Sequence, residues 1–104
     1  MDELVARFMP RFAALARERL QVATRTAAER RHRDAEAVAH DLHALAGEAG
    51  LLGLEGVVGV ARSAEEAARR FGGTGSEGDA QALAESVRTL EQAVAGATGG
   101  SSGT

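Results

Sequence analysis

This 104-residue chain has three histidines, His32, His40 and His43. His40 and His43 stand close together, with Glu36 one helical turn before His40. An imidazole offers three kinds of chemistry: proton transfer, metal ligation, or attack through a ring nitrogen. Glu36, His40 and His43 fall at i, i+4 and i+7 and share one helix face, a spacing that Zn²⁺ could use. That face points away from the apolar seam of its helix, so no metal site is expected. Ser63, Ser76 and Ser86 lack a credible His–Asp arrangement for hydrolysis. The Gly-rich stretch 72–78 lacks the lysine of a phosphate cradle.

The absences narrow the chemistry further. All 12 basic residues are Arg, and Lys, Cys, Trp and Tyr do not occur. There is no thiol nucleophile, disulfide scaffold or iron–sulfur site, and no Schiff-base lysine. With a net charge of −3 and only three Phe as aromatics, neither nucleic-acid binding nor base stacking is expected. No apolar run approaches the ~20 residues of a membrane span. Asp2 and Glu3 stand where a secretory leader would be basic. A cytoplasmic location and no membrane partner are expected. Charge is uneven: residues 1–33 sum to +4 and residues 34–104 to −7. The basic half reads as a solvated helix face.

The elements that must position the histidines read as helices. Ala occurs 23 times, and Leu, Arg and Glu are abundant, whereas period-two alternation is missing. Leu4, Val5, Phe8, Phe12, Leu15, Leu20 and Ala23 form a first apolar series, interrupted by Pro10. This predicts a short helix over 2–8 and a long one from about 10 to 29. Asp34 is the expected N-cap of a helix with the seam Val38, Leu42, Leu45, Ala49 and Leu52. Gly53 ends or bends it. Val57, Val60, Ala64, Ala67 and Phe71 give the next stripe, and residues 72–78 read as a flexible loop. Ser76 is positioned to cap a last helix with the seam Ala80, Leu83, Val87, Leu90 and Val94. The expectation is an all-α, up-down antiparallel four-helix bundle over residues 1–95, with a short extra N-terminal helix. A flexible Gly/Ser-rich tail is expected over 96–104, and the chain is expected to be a monomer.

At 100° per residue, His43 lies roughly 140° from the centre of its seam, and His40 nearly opposite the core. Ala39, Ala46, Gly47 and Gly50 surround His43 along the helix. An exposed imidazole would thus sit in a patch of small side chains. Gly47, Gly50 and Gly53 each cost the helix about 1 kcal/mol relative to Ala. Close approach of another surface would account for that cost.

The segment from His43 to Leu54, His-Ala-Leu-Ala-Gly-Glu-Ala-Gly-Leu-Leu-Gly-Leu, resembles the signature of histidine-containing phosphotransfer (HPt) domains of bacterial two-component phosphorelays. That signature reads roughly H-x-L-K-G-x-A-x-x-L-G. His43, Leu45, Gly47, Ala49, Leu52 and Gly53 match it in register, and the likeness extends over about residues 2–95. The resemblance implies a helical bundle without catalytic activity of its own. Its exposed histidine, here His43, takes a phosphoryl group from a receiver aspartate or a histidine kinase and passes it on. No cofactor is implied, because Mg²⁺ comes with the partner receiver domain. His40, Ala39, Ala46, Gly47 and Gly50 would form the docking surface. Glu65 matches an acidic residue that hydrogen-bonds the histidine ring in chemotaxis-kinase phosphotransfer domains. The chain departs from the signature at Ala46, where the family carries a lysine near the incoming phosphoryl group. Arg62, one turn before Glu65, is placed to supply that charge across the helix pair. The exposed acids Glu36, Asp41 and Glu48 would disfavour long retention of a phosphate. The alternative is a module of the same shape that binds a kinase or receiver and regulates it without being phosphorylated.

Overall fold

A computed structural model describes residues 3–99. It contains four α-helices, α1 (Glu3–Ala28), α2 (Ala35–Leu51), α3 (Glu55–Thr74) and α4 (Glu77–Thr98), with a 3₁₀ turn over His32–Asp34 before α2. Among the described residues there is no strand. This is the make-up of a helical bundle.

The last seam falls as its spacing predicts: Ala80, Leu83, Val87, Leu90 and Val94 are all buried. So are Val38, Leu42, Leu45 and Ala49 of α2, and Val57, Ala64, Ala67 and Phe71 of α3. Leu52 and Val60 are half-buried beside them. Phe71, Leu42, Leu45, Leu83 and Leu90 are the largest fully enclosed side chains. Twelve of the 23 buried apolar residues among those described are Ala, so the helix axes can approach closely at little side-chain entropy cost. The apolar area per contact is correspondingly small.

α2 and α3 run in opposite directions. Along α2, Glu36, His43 and Gly50 meet Arg69, Glu65 and Val58 of α3 in descending order. Arg19 of α1 donates to Glu48 of α2 at 2.8 Å. At the far end of the molecule, the guanidinium of Arg30 grips both carboxylate oxygens of Glu77 at the start of α4. Arg30 itself adopts the left-handed conformation (φ 57°) that ends α1.

Four sequence expectations need correction. The two helices expected over 2–8 and 10–29 are, among the described residues, one continuous helix, α1 (Glu3–Ala28), with Pro10 inside it; Asp2 lies outside the described residues. Pro10 removes only the donor to the Ala6 carbonyl, and both residues are exposed, so water can replace the lost bond. The first half of α1 also overreaches the core: Leu4 and Phe8 are 57% and 46% exposed. They line an open apolar groove with Phe12, Leu15 and Leu52.

The predicted loop over 72–78 shrinks to Gly75 and Ser76. α3 continues through Thr74 because Gly72 lies against α2, where a Cβ would sit 3.4 Å from the Ala35 Cβ. Gly75 then takes the left-handed conformation, and the Ser76 side chain accepts from the Asp79 N–H as the capping pattern predicts. At Asp34 the position is right but the mechanism differs. Its side chain pairs with Arg31 at 2.9 Å and makes no cap bond to α2. Finally, α4 extends through Thr98 to a left-handed Gly99, so residues 96–98 are helix where a tail was expected. Residues 100–104 of that tail lie outside the described residues.

Candidate functional site

α2 presents His43 to solvent, with its side chain 73% exposed. This follows from the helical wheel: Val38, Leu42, Leu45 and Ala49 hold the opposite face in the core. His43 stands on the flank of α2 nearest α3. There Nδ1 lies 3.2 Å from Oε1 of Glu65. The Glu65 side chain is only 12% exposed, lying at the rim between the two helices.

Glu65 has a second partner. Its Oε2 accepts from Nη2 of Arg69 at 2.6 Å, an i,i+4 pair along α3. Arg69 also reaches back to α2, where Nη1 donates to Oε2 of Glu36 at 2.9 Å. Glu36, Arg69, Glu65 and His43 thus form a polar chain that crosses the α2–α3 interface twice. The Arg69 hydrogen bond is the main reason that the Glu65 carboxyl titrates below its ordinary range, and the contact with His43 adds to the effect. Glu65 is therefore ionised near neutral pH. A carboxylate only accepts, so Nδ1 must carry the hydrogen in their bond. In the neutral ring this leaves Nε2 with a free lone pair facing solvent.

The expected docking patch is only partly on the surface. His40, Gly47 and Gly50 are exposed. Ala39 and Ala46 are buried, at 0% and 4% exposure. They lie on the same flank of α2 as His43 and Gly50, which both meet α3, so α3 covers them. The apolar face of α2 is thus wider than its large residues alone suggest. Gly47 has nothing within 4 Å of where a Cβ would stand, so a partner can approach its backbone.

Arg62 is exposed, and among the described residues it has no hydrogen-bond or ion-pair partner. Continuing the antiparallel register of α2 on α3, it stands level with Ala46, one turn from His43. Of the acids expected to surround the imidazole, Glu36 is paired with Arg69 and Glu48 with Arg19. They repel an added negative charge less than free carboxylates would. Glu36, His40 and His43 do not converge, and no metal-binding group of three or more His, Cys, Asp or Glu occurs among the described residues.

No motif in the sequence marks Arg69, and Glu36 stands out there only as an acid on the His40–His43 face, not as a partner of Arg69. The signal available was the Glu65–Arg69 spacing of four and the Glu36–His43 spacing of seven, each placing two residues on one helix face. No helix among the described residues is long and apolar enough to cross a membrane. A family model described as Hpt domain matches residues 7–99. No curated protein and no solved structure gives a significant match.

Proposed function

This chain belongs to the Hpt domain family, and on that premise we propose that it carries a phosphoryl group on Nε2 of His43 within a phosphorelay. The family acts in two-component signalling as a phosphocarrier between receiver domains and histidine kinases. The observation that carries the assignment to His43 is its hydrogen bond to Glu65, which holds Nδ1–H and leaves the exposed Nε2 lone pair free.

The chemistry balances without a base. The Nε2 lone pair attacks the phosphorus of a receiver aspartyl-phosphate in line with its acyl oxygen. The N–P bond forms as the P–O bond breaks, and the aspartate leaves as a free carboxylate. Nδ1 keeps its hydrogen, so the ring becomes a phosphorylated imidazolium. Glu65 faces the positive charge that develops. Mg²⁺, where needed, belongs to the receiver. In the return direction the same steps run backwards, and the chain itself is a carrier and not a catalyst.

Arg62 is our candidate for the charge that the family's lysine supplies, since it stands level with Ala46 on the neighbouring helix. His40, Gly47 and Gly50 supply the exposed surface on which a receiver or kinase would seat. The antiparallel register of α2 on α3, together with the Arg19–Glu48 and Arg30–Glu77 contacts, supports an up-down arrangement, and we read the protein as a cytoplasmic monomer. The test is incubation with phosphorylated candidate receivers. An acid-labile phosphoryl group is expected on the wild type and not on His43→Gln. Persistence of the label in that variant would move the role to His40 or end the reading.

A further inference from the structure

We propose that Arg69 is a positioning residue for phosphoryl acceptance, anchoring Glu65 so that its other oxygen holds Nδ1–H of His43 and directs the reaction to Nε2. The inference rests on the reading of His43 as the phosphoacceptor.

Glu65 divides its two oxygens between two partners, Oε1 to His43 and Oε2 to Arg69. Its own helix gives it no other restraint at the carboxylate. An unanchored Glu keeps three rotatable side-chain bonds and loses rotamer freedom when ordered. The 2.6 Å bond from Arg69 removes that freedom before any partner arrives. Arg69 is itself held by Glu36, through a different nitrogen of the same planar guanidinium, at 2.9 Å. A guanidinium is suited to this task because its donors are fixed in one plane and diverge toward two acceptors. The chain of contacts begins and ends on α2, at residues seven apart on one face. The orientation of His43 is thus referred back to its own helix by way of α3.

The consequence is selectivity between two nitrogens. A neutral imidazole free in water has a nucleophilic lone pair on whichever nitrogen lacks the hydrogen, and the two tautomers interconvert. With Glu65 fixed, Nδ1 is the protonated nitrogen and Nε2 the nucleophile. With Glu65 released, both tautomers become accessible.

Two readouts test this on the full chain labelled with ¹⁵N. The first is the ring tautomer of His43, read from long-range ¹H–¹⁵N spectra without any phosphoryl donor. Wild type is expected to show the Nδ1–H form, and Arg69→Gln a mixture containing the Nε2–H form. The second is phosphorylation by phosphoramidate, a small donor that needs no docking surface. It transfers phosphoryl from its nitrogen to the ring nitrogen and leaves as ammonia. Wild type is expected to give a single Nε2 product. Arg69→Gln is expected to react about tenfold more slowly and to give Nδ1 product as well. Arg69→Lys should recover part of the rate and most of the selectivity, which a purely structural role would not predict. Should Arg69→Gln fail to fold, Arg69→Met decides, since it keeps the aliphatic stem and has no donor for Glu65: wild-type tautomer, rate and product in it would overturn the proposal. Equally, an Arg69→Gln protein that folds and matches wild type in both readouts overturns it. A wild-type chain that accepts no phosphoryl group on His43 from any donor overturns the carrier reading instead, and the tautomer measurement still decides what Arg69 does to the ring.

Discussion

Nδ1 of His43 lies 3.2 Å from Oε1 of Glu65, so the orientation of a ring on α2 is set by a carboxylate on α3. The two residues are 22 apart in sequence, and only the antiparallel packing of their helices joins them. Glu65→Gln keeps the shape and one acceptor but removes the charge that faces the developing imidazolium. Phosphoryl acceptance should slow by about tenfold or more. Stability near neutral pH should change by no more than ~1 kcal/mol, as befits an ion pair at the rim. Stopped-flow or quenched transfer from a phosphorylated receiver, alongside urea melts, measures both. Transfer at the wild-type rate would remove Glu65 from the mechanism.

The same carboxylate gives the fold a pH signature. Glu65 titrates below its ordinary range, chiefly through Arg69, and Glu77 does so through Arg30. A depressed folded-state pKa stabilises the protein above the unfolded carboxylate value of about 4.3. That contribution fades as pH falls through the lower folded value. Denaturant melts between pH 7 and pH 3 should therefore show a loss of stability below about pH 4.5. Glu65→Gln should flatten that limb in part, and Glu77→Gln should flatten it again. A limb equally steep in the double variant would show that other carboxylates dominate.

How far the sequence reaches is visible in where it stops. The α4 seam and the Ser76 cap are local properties, period and capping chemistry, and both are readable without the fold. Pro10 and Gly72 break local rules, and the structure overrides them: one at an exposed helix turn that water can satisfy, the other where α3 lies close to Ala35. His43 is marked by its flanking glycines and by the family pattern. Glu65 becomes legible only through the resemblance. Arg69 shows only its spacing of four from Glu65 until α3 is laid antiparallel on α2, because its second bond is to Glu36, 33 residues earlier.

Gly75 should be the most sensitive of the glycines that end helices. It adopts φ +62°, and an added Cβ would meet three ring atoms of His32 at 3.1–3.3 Å. Gly53 and Gly99 share the positive φ but have nothing within 4 Å. Gly53→Ala should cost about 1–2 kcal/mol from backbone strain alone. Gly75→Ala should cost more, and His32→Ala in the same chain should return the excess. Thermal melts of the four proteins test this as a double-variant cycle. Equal losses at the two glycines would mean that His32 moves aside freely.

Arg62→Ala should slow acceptance from a receiver by roughly two- to fivefold, the scale of one exposed charge. The defect should shrink as salt is added, because such a charge is screened over about 10 Å at 0.1 M ionic strength. Its stability should be unchanged, since Arg62 has no partner to lose among the described residues. A defect that persists in high salt would point to a direct hydrogen bond instead of a field. No defect at all would leave the position opposite Ala46 without a charge role.

Gly47 separates partner docking from the chemistry of the ring. It is exposed in mid-helix, and a Cβ there meets nothing within 4 Å. On folding grounds Gly47→Ala should stabilise the protein by about 0.5–1 kcal/mol. A large side chain there would start from an exposed, uncontacted Cβ and stand one turn beyond His43, where a receiver would approach. Gly47→Phe should therefore block transfer from a phosphorylated receiver while leaving reaction with phosphoramidate close to wild type. The contrast between the two donors is the measurement. If both reactions fail together, the glycine serves the ring itself. If both persist, the partner seats elsewhere on the bundle, and the cost of a glycine in this helix needs a different reason.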